Sequence, residues 1–77
     1  MAKIAPLKWI VLEKVFLEAG FTFARQKGSH RSYTKHGISR PIVIPTYDDV
    51  PVSIIKNNLK TAGLSRDEYF RLLEKAR

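Results

Sequence analysis

Apolar residues recur every three or four positions from Trp9 through Leu12 and Phe16 to Ala19, a spacing that predicts an amphipathic helix over Pro6–Ala19. Pro6 suits the first helical turn, where its missing N–H has no partner to lose, and Gly20 suits the left-handed residue that closes a helix. At Phe21 the period changes from helical to alternating. Phe21 and Phe23 fall on one side and Thr22 and Ala24 on the other, which predicts a half-buried strand reaching Gln26. Lys27-Gly28-Ser29 reads as a turn, His30–Lys35 as a second strand, His36-Gly37 as another turn, and Pro41–Ile44 as a third strand whose β-branched residues favour a pleated surface. Pro45–Asp49 breaks the strand. Pro51 then opens a helix with Val52, Ile55, Leu59 and Ala62 in one apolar stripe and Lys56, Asn57 and Lys60 on the other side. Gly63 closes it, and Ser65-Arg66-Asp67-Glu68 reads as a capping box for a last helix that turns Tyr69, Leu72 and Leu73 to the core. The expected fold is therefore α+β, in the order α-β-β-β-α with a short extra C-terminal helix, as a single domain over residues 1–77.

Charge sharpens this picture. Fourteen Lys and Arg against seven Asp and Glu give a formal net charge of +7, so electrostatics favours an anionic partner such as nucleic acid, an anionic membrane or an acidic protein. The chain contains no cysteine, which removes disulfides, thiolate nucleophiles and most structural zinc sites. No apolar run is long enough to cross a bilayer, and Met1–Pro6 lacks the apolar core of a signal peptide; a cytoplasmic location without membrane contact is expected. His30 and His36 with Asp48 or Asp49 make a poor zinc ligand set, so neither metal nor cofactor is expected. Asp48 and Asp49 are assigned to the dipole of the helix that follows. Phe16, Phe21 and Phe23 read as core and Tyr33 as packed, whereas Trp9 fits either a core or an interface.

The chemistry concentrates at Gly28-Ser29-His30. Imidazole titrates near neutral pH, and here it stands at a tight turn among cations, so it is placed to move protons on an RNA backbone while its neighbours hold phosphates. With no thiol and no paired acids, the RNA's own 2′-OH is the available nucleophile. His30 would remove its proton or donate one to the departing 5′-oxygen, and both roles stay open. Arg25, Lys27, Arg31 and Lys35 would stabilise charge on the phosphate, Gly28 would let the backbone approach the strand, and Ser29 would orient imidazole or phosphate. Lys56 and Lys60, one turn apart on a polar helix face, are candidate phosphate contacts. The bland alternative for His30 is a surface or hydrogen-bonded structural residue. A non-catalytic RNA-binding module is the alternative for the chain, because binding alone needs no imidazole.

The element order is that of double-stranded-RNA-binding domains. More specifically, Gly20-Phe21, Arg25–His30, Ile44-Pro45 and Ile55-x-x-x-Leu59-x-x-Ala62-Gly63-Leu64-Ser65, in this order and spacing, resemble the HicA toxin family across nearly the whole chain. That resemblance implies an mRNA interferase, a metal-independent endoribonuclease of a toxin–antitoxin pair acting on single-stranded or translated mRNA. It also implies a HicB-type antitoxin as partner, with the toxin a monomer when free and part of a hetero-oligomer when bound. In the family the histidine of the Gly-Ser-His turn is catalytic, which maps onto His30. Many relatives carry a second histidine next, where this chain has Arg31.

Overall fold

A computed structural model describes residues 3–77; Met1 and Ala2, at the start of the expected 1–77 domain, lie outside the described residues. The elements run α1 (Trp9–Glu18), β1 (Thr22–Lys27), β2 (His30–Lys35), β3 (Ile38–Pro45), α2 (Val52–Ala62) and α3 (Arg66–Ala76), which is the expected order with its extra C-terminal helix.

The first helix starts later than its apolar period suggests. Leu7 is extended and exchanges backbone hydrogen bonds with Val50, Leu7 N–H to Val50 O at 3.3 Å and Val50 N–H to Leu7 O at 2.6 Å. Pro6 therefore precedes a short bridge and does not sit in the helix, and α1 begins only where Trp9 N–H turns to Tyr47 O at 3.1 Å. At its other end Gly20 takes φ +97°, and the N–H groups of Gly20 and Phe21 reach back to Leu17 O and Phe16 O, satisfying carbonyls that the helix leaves open. α3 carries the expected capping box, with Ser65 Oγ accepting from Glu68 N–H and Glu68 Oε1 from Ser65 N–H. The N-cap of α2 is Pro51 and no side chain caps it, so Asp48 and Asp49 make no capping hydrogen bond.

The strands form one antiparallel sheet in the order β1-β2-β3. Two irregularities shape it. On β1, Phe23 pairs with Tyr33 and Arg25 with Ser32, which leaves Ala24 as an inserted residue. On β3, Ile42 pairs with Tyr33 and Ile38 with Lys35, a step of four residues against two. The extra residues accommodate Pro41 at an edge strand, where its missing N–H costs no ladder bond, and this extends β3 well before the expected start at Pro41.

All three helices lie on one side of the sheet. Leu12, Val15 and Phe16 of α1, Tyr33 of β2, Ile42 and Ile44 of β3, Ile55, Leu59 and Ala62 of α2, and Tyr69 and Leu73 of α3 are buried in one cluster with Phe21 and Val50. α3 packs mainly on α1, completing the core from outside, with Leu72 partly buried beside it. Because Tyr33, Ile42 and Ile44 share the helix-covered face, strand alternation leaves His30, Ser32, Thr34 and Val43 on the opposite, uncovered face. No helix is long and apolar enough to cross a membrane among the described residues.

Candidate nucleic-acid interface

The uncovered face is built around the turn between β1 and β2. Lys27 and His30 are cross-strand partners that close the two-residue loop Gly28-Ser29. Gly28 has φ +60° while Ser29 does not take positive φ, the combination that a type II′ hairpin turn requires. A side chain at Gly28 would meet nothing within 4 Å, so the turn is open to an approaching strand. The loop is fastened on both sides. Ser29 O accepts from Thr46 N–H at 2.7 Å and from Thr46 Oγ1 at 3.2 Å, and Gly28 O accepts from Gln26 Nε2 at 2.9 Å.

Cross-strand partners share a face, so His30 stands between Lys27 on β1 and Pro45 on β3. The next rank is Arg25, Ser32 and Val43, and beyond it Thr22 pairs with Thr34. Lys27, Arg25 and His30 are all exposed. The inserted Ala24 makes this arrangement possible. Strict alternation from Phe21 would put Arg25 and Lys27 on the same side as the phenylalanines; the bulge shifts the phase by one residue and turns both cations toward His30.

The same phase shift sends Gln26 to the helix-covered face, where it pairs with Arg31, which shares that face with Tyr33 two residues along β2. Arg31 is engaged there from several directions. Its Nη2 lies 3.0 Å from Glu13 Oε2 on α1, its Nε donates to the same oxygen at 3.1 Å and to the Tyr33 hydroxyl at 3.0 Å, and its Nη1 donates to Gln26 Oε1 at 2.7 Å. The Tyr33 hydroxyl in turn donates to Glu13 Oε2. The guanidinium lies 4.2 Å from the centroid of the Phe23 ring and 5.3 Å from that of Trp9. Phe23, expected in the core, is thus half exposed on an edge strand and serves as a platform for Arg31, and Trp9 lies partly buried under the same group. Tyr33 is packed as expected, but its hydroxyl is committed to Glu13 and Arg31. Burial first, and then the bond to Glu13, push the Tyr33 hydroxyl up to about 12. The Tyr33 hydroxyl foremost, with Glu13 behind it, raises the Arg31 guanidinium above its usual value against the opposing effect of desolvation.

The expected phosphate-binding set is therefore divided. Arg25, Lys27, Gly28 and Ser29 gather around His30. Arg31 follows His30 in sequence but lies on the other side of the sheet. Lys35 is on that same covered side, with Nζ 5.7 Å from the Phe21 ring centroid, and five residues of strand separate it from His30, about 16 Å at the usual rise. Lys56 and Lys60 are exposed on α2, whose Ile55 and Leu59 are buried in the core, so they project from the helix layer and not from the face that carries His30. No three His, Cys, Asp or Glu side chains gather as a metal-binding group among the described residues.

The sequence expectation missed Glu13 and Gln26 altogether. A signal for Glu13 exists, since it falls between the core positions Leu12 and Phe16, where a carboxylate calls for a cation.

No curated protein was found to match the chain. The family model described as the HicA toxin of bacterial toxin–antitoxin systems matches residues 9–64, a span running from the first residue of α1 past the end of α2 and including the whole sheet and the turn at His30. The chain belongs to the HicA toxin family and is the toxin of a toxin–antitoxin system, with an antitoxin as its partner.

Proposed function

We propose that this toxin is an endoribonuclease that cuts mRNA on the uncovered face of its sheet, with His30 as the proton-transfer group and no metal in the reaction. The observation that carries the reading is the juxtaposition on one exposed face of His30 with Lys27 beside it and Arg25 one rank away. An RNA strand laid across these ranks has its phosphates met by two permanent cations, which stabilise the negative charge that builds on the non-bridging phosphate oxygens. The 2′-oxygen attacks the adjacent phosphorus and the bond from phosphorus to the 5′-oxygen breaks. His30 either takes the proton from the 2′-OH while water protonates the departing 5′-oxygen, or supplies that proton while water takes the one from the 2′-OH. Gly28 lets the strand lie close to the backbone, and Ser29 presents a hydroxyl at the turn. A HicB-type antitoxin with an acidic surface over this face would cover His30 and neutralise the cations together, which gives silencing and tight binding a common origin.

End-group analysis of RNA incubated with the purified toxin and excess EDTA tests this reading. Fragments ending in 2′,3′-cyclic phosphate and 5′-hydroxyl are expected. Cleavage only after metal addition, or fragments with 5′-phosphate, would contradict it, and intact RNA with retained binding would leave a non-catalytic RNA-binding module.

A further inference from the structure

We infer that Arg31, Gln26 and Glu13 form a brace that positions the turn carrying His30, and that Arg31 acts through this brace and does not bind RNA. The inference rests on the ribonuclease reading above. The brace is continuous: the Glu13 carboxylate on α1 holds the Arg31 guanidinium at 3.0 Å, Arg31 Nη1 donates to Gln26 Oε1 at 2.7 Å, and Gln26 Nε2 donates to Gly28 O at 2.9 Å. Each end of the Gln26 amide is used, one toward the helix layer and one toward the turn, so the rigid α1 is connected through three side chains to the residue two before His30.

The need for such a brace follows from the sheet itself. β1 is an edge strand whose six residues are all exposed, and its phase depends on the single insertion at Ala24. A slip of one residue would return Arg25 and Lys27 to the covered face and remove them from His30, while costing little apolar burial, because β1 buries almost none. What opposes the slip is the polar pairing of Gln26 with Arg31. The slip would break the 2.7 Å bond from Arg31 Nη1 to Gln26 Oε1, and with it the link between the turn and the Glu13–Arg31 pair, which stays in place between α1 and β2. The contact of the guanidinium with the Phe23 ring, 4.2 Å from its centroid, also couples the position of β1 to Arg31.

Three variants, with Arg31→Ala as a charge-removing comparison, separate positioning from phosphate contact. Gln26→Leu keeps the side-chain size and the net charge while removing both amide bonds. Glu13→Gln removes a negative charge, which would if anything favour RNA. Arg31→Lys keeps the positive charge and cannot reproduce the fork of donors. The brace requires that all three lower kcat about ten- to a hundredfold with KM and salt dependence of RNA binding unchanged, and that the Ser29 and His30 amide resonances shift in each. Wild-type kcat in Arg31→Lys together with a flatter salt dependence in Arg31→Ala would overturn the inference and make Arg31 a phosphate ligand. Unmoved Ser29 and His30 resonances in Gln26→Leu and Glu13→Gln would overturn it whatever the cleavage data show. The resonances also keep the two readings apart: a wild-type toxin that cuts no RNA refutes the ribonuclease, while the shifts still decide the brace.

Discussion

Replacing Arg25 and Lys27 together by alanine isolates the electrostatic part of the uncovered face. Both side chains are exposed, neither packs on the core, and each sits within one rank of His30, so the change removes charge with little effect on folding. Each phosphate contact on a single strand contributes about −0.7 to the slope of log affinity against log salt, so losing two contacts flattens the slope by about 1.4. Between 50 and 200 mM salt, wild-type affinity therefore falls roughly sevenfold more than that of the double variant. Fluorescence anisotropy with a 2′-O-methyl oligoribonucleotide measures this without cleavage. Lys56→Ala and Lys60→Ala are the matched controls, since they remove equal charge from the helix layer and are expected to leave the slope unchanged. An unaltered slope in Arg25→Ala/Lys27→Ala, with a flattened one in the α2 variants, would move RNA from the sheet to the helix layer and refute the reasoning.

Ile55 is fully buried where α2 meets the core, so Ile55→Ala is expected to cost about 2–5 kcal/mol in urea unfolding; a loss under about 0.5 kcal/mol would show that α2 is not packed as described. The Tyr33 hydroxyl, raised from its usual 10 to about 12, favours the neutral form in the folded state, so its contribution is complete below pH 10 and disappears as pH rises through 12. Tyr33→Phe should therefore soften the alkaline loss of stability in that window, with buried Tyr69, whose hydroxyl is also raised by burial, contributing to what remains; identical pH profiles would contradict the burial of the Tyr33 hydroxyl beside Glu13.

Local signals account for most of the architecture. The bounds of β2 follow from flanking turn residues, and the α3 capping box follows from four adjacent residues, because both depend on interactions within a few positions. The start of α1 is not local: Leu7 leaves the helix to pair with Val50, forty-three residues away along the chain. The Ala24 insertion is likewise a property of how β1 meets β2, and nothing in Phe21–Lys27 taken alone marks it. The candidate site was legible to the same degree. His30, Gly28 and Ser29 stand out as a motif, whereas counting Arg31 and Lys35 among its cations treats charge as free of its surroundings. Arg31 has a carboxylate waiting on α1, and Lys35 points to the covered face at the far end of its strand.

The cleavage rate of His30→Ala on a defined RNA tests the central claim most directly, with circular dichroism and antitoxin binding as checks that the variant is folded. General acid or base catalysis by one residue is commonly worth about 100- to 10,000-fold, so the variant is expected to lose at least about a hundredfold while binding RNA with unchanged salt dependence. A folded His30→Ala protein that cuts at the wild-type rate would remove His30 from the chemistry and contradict the account.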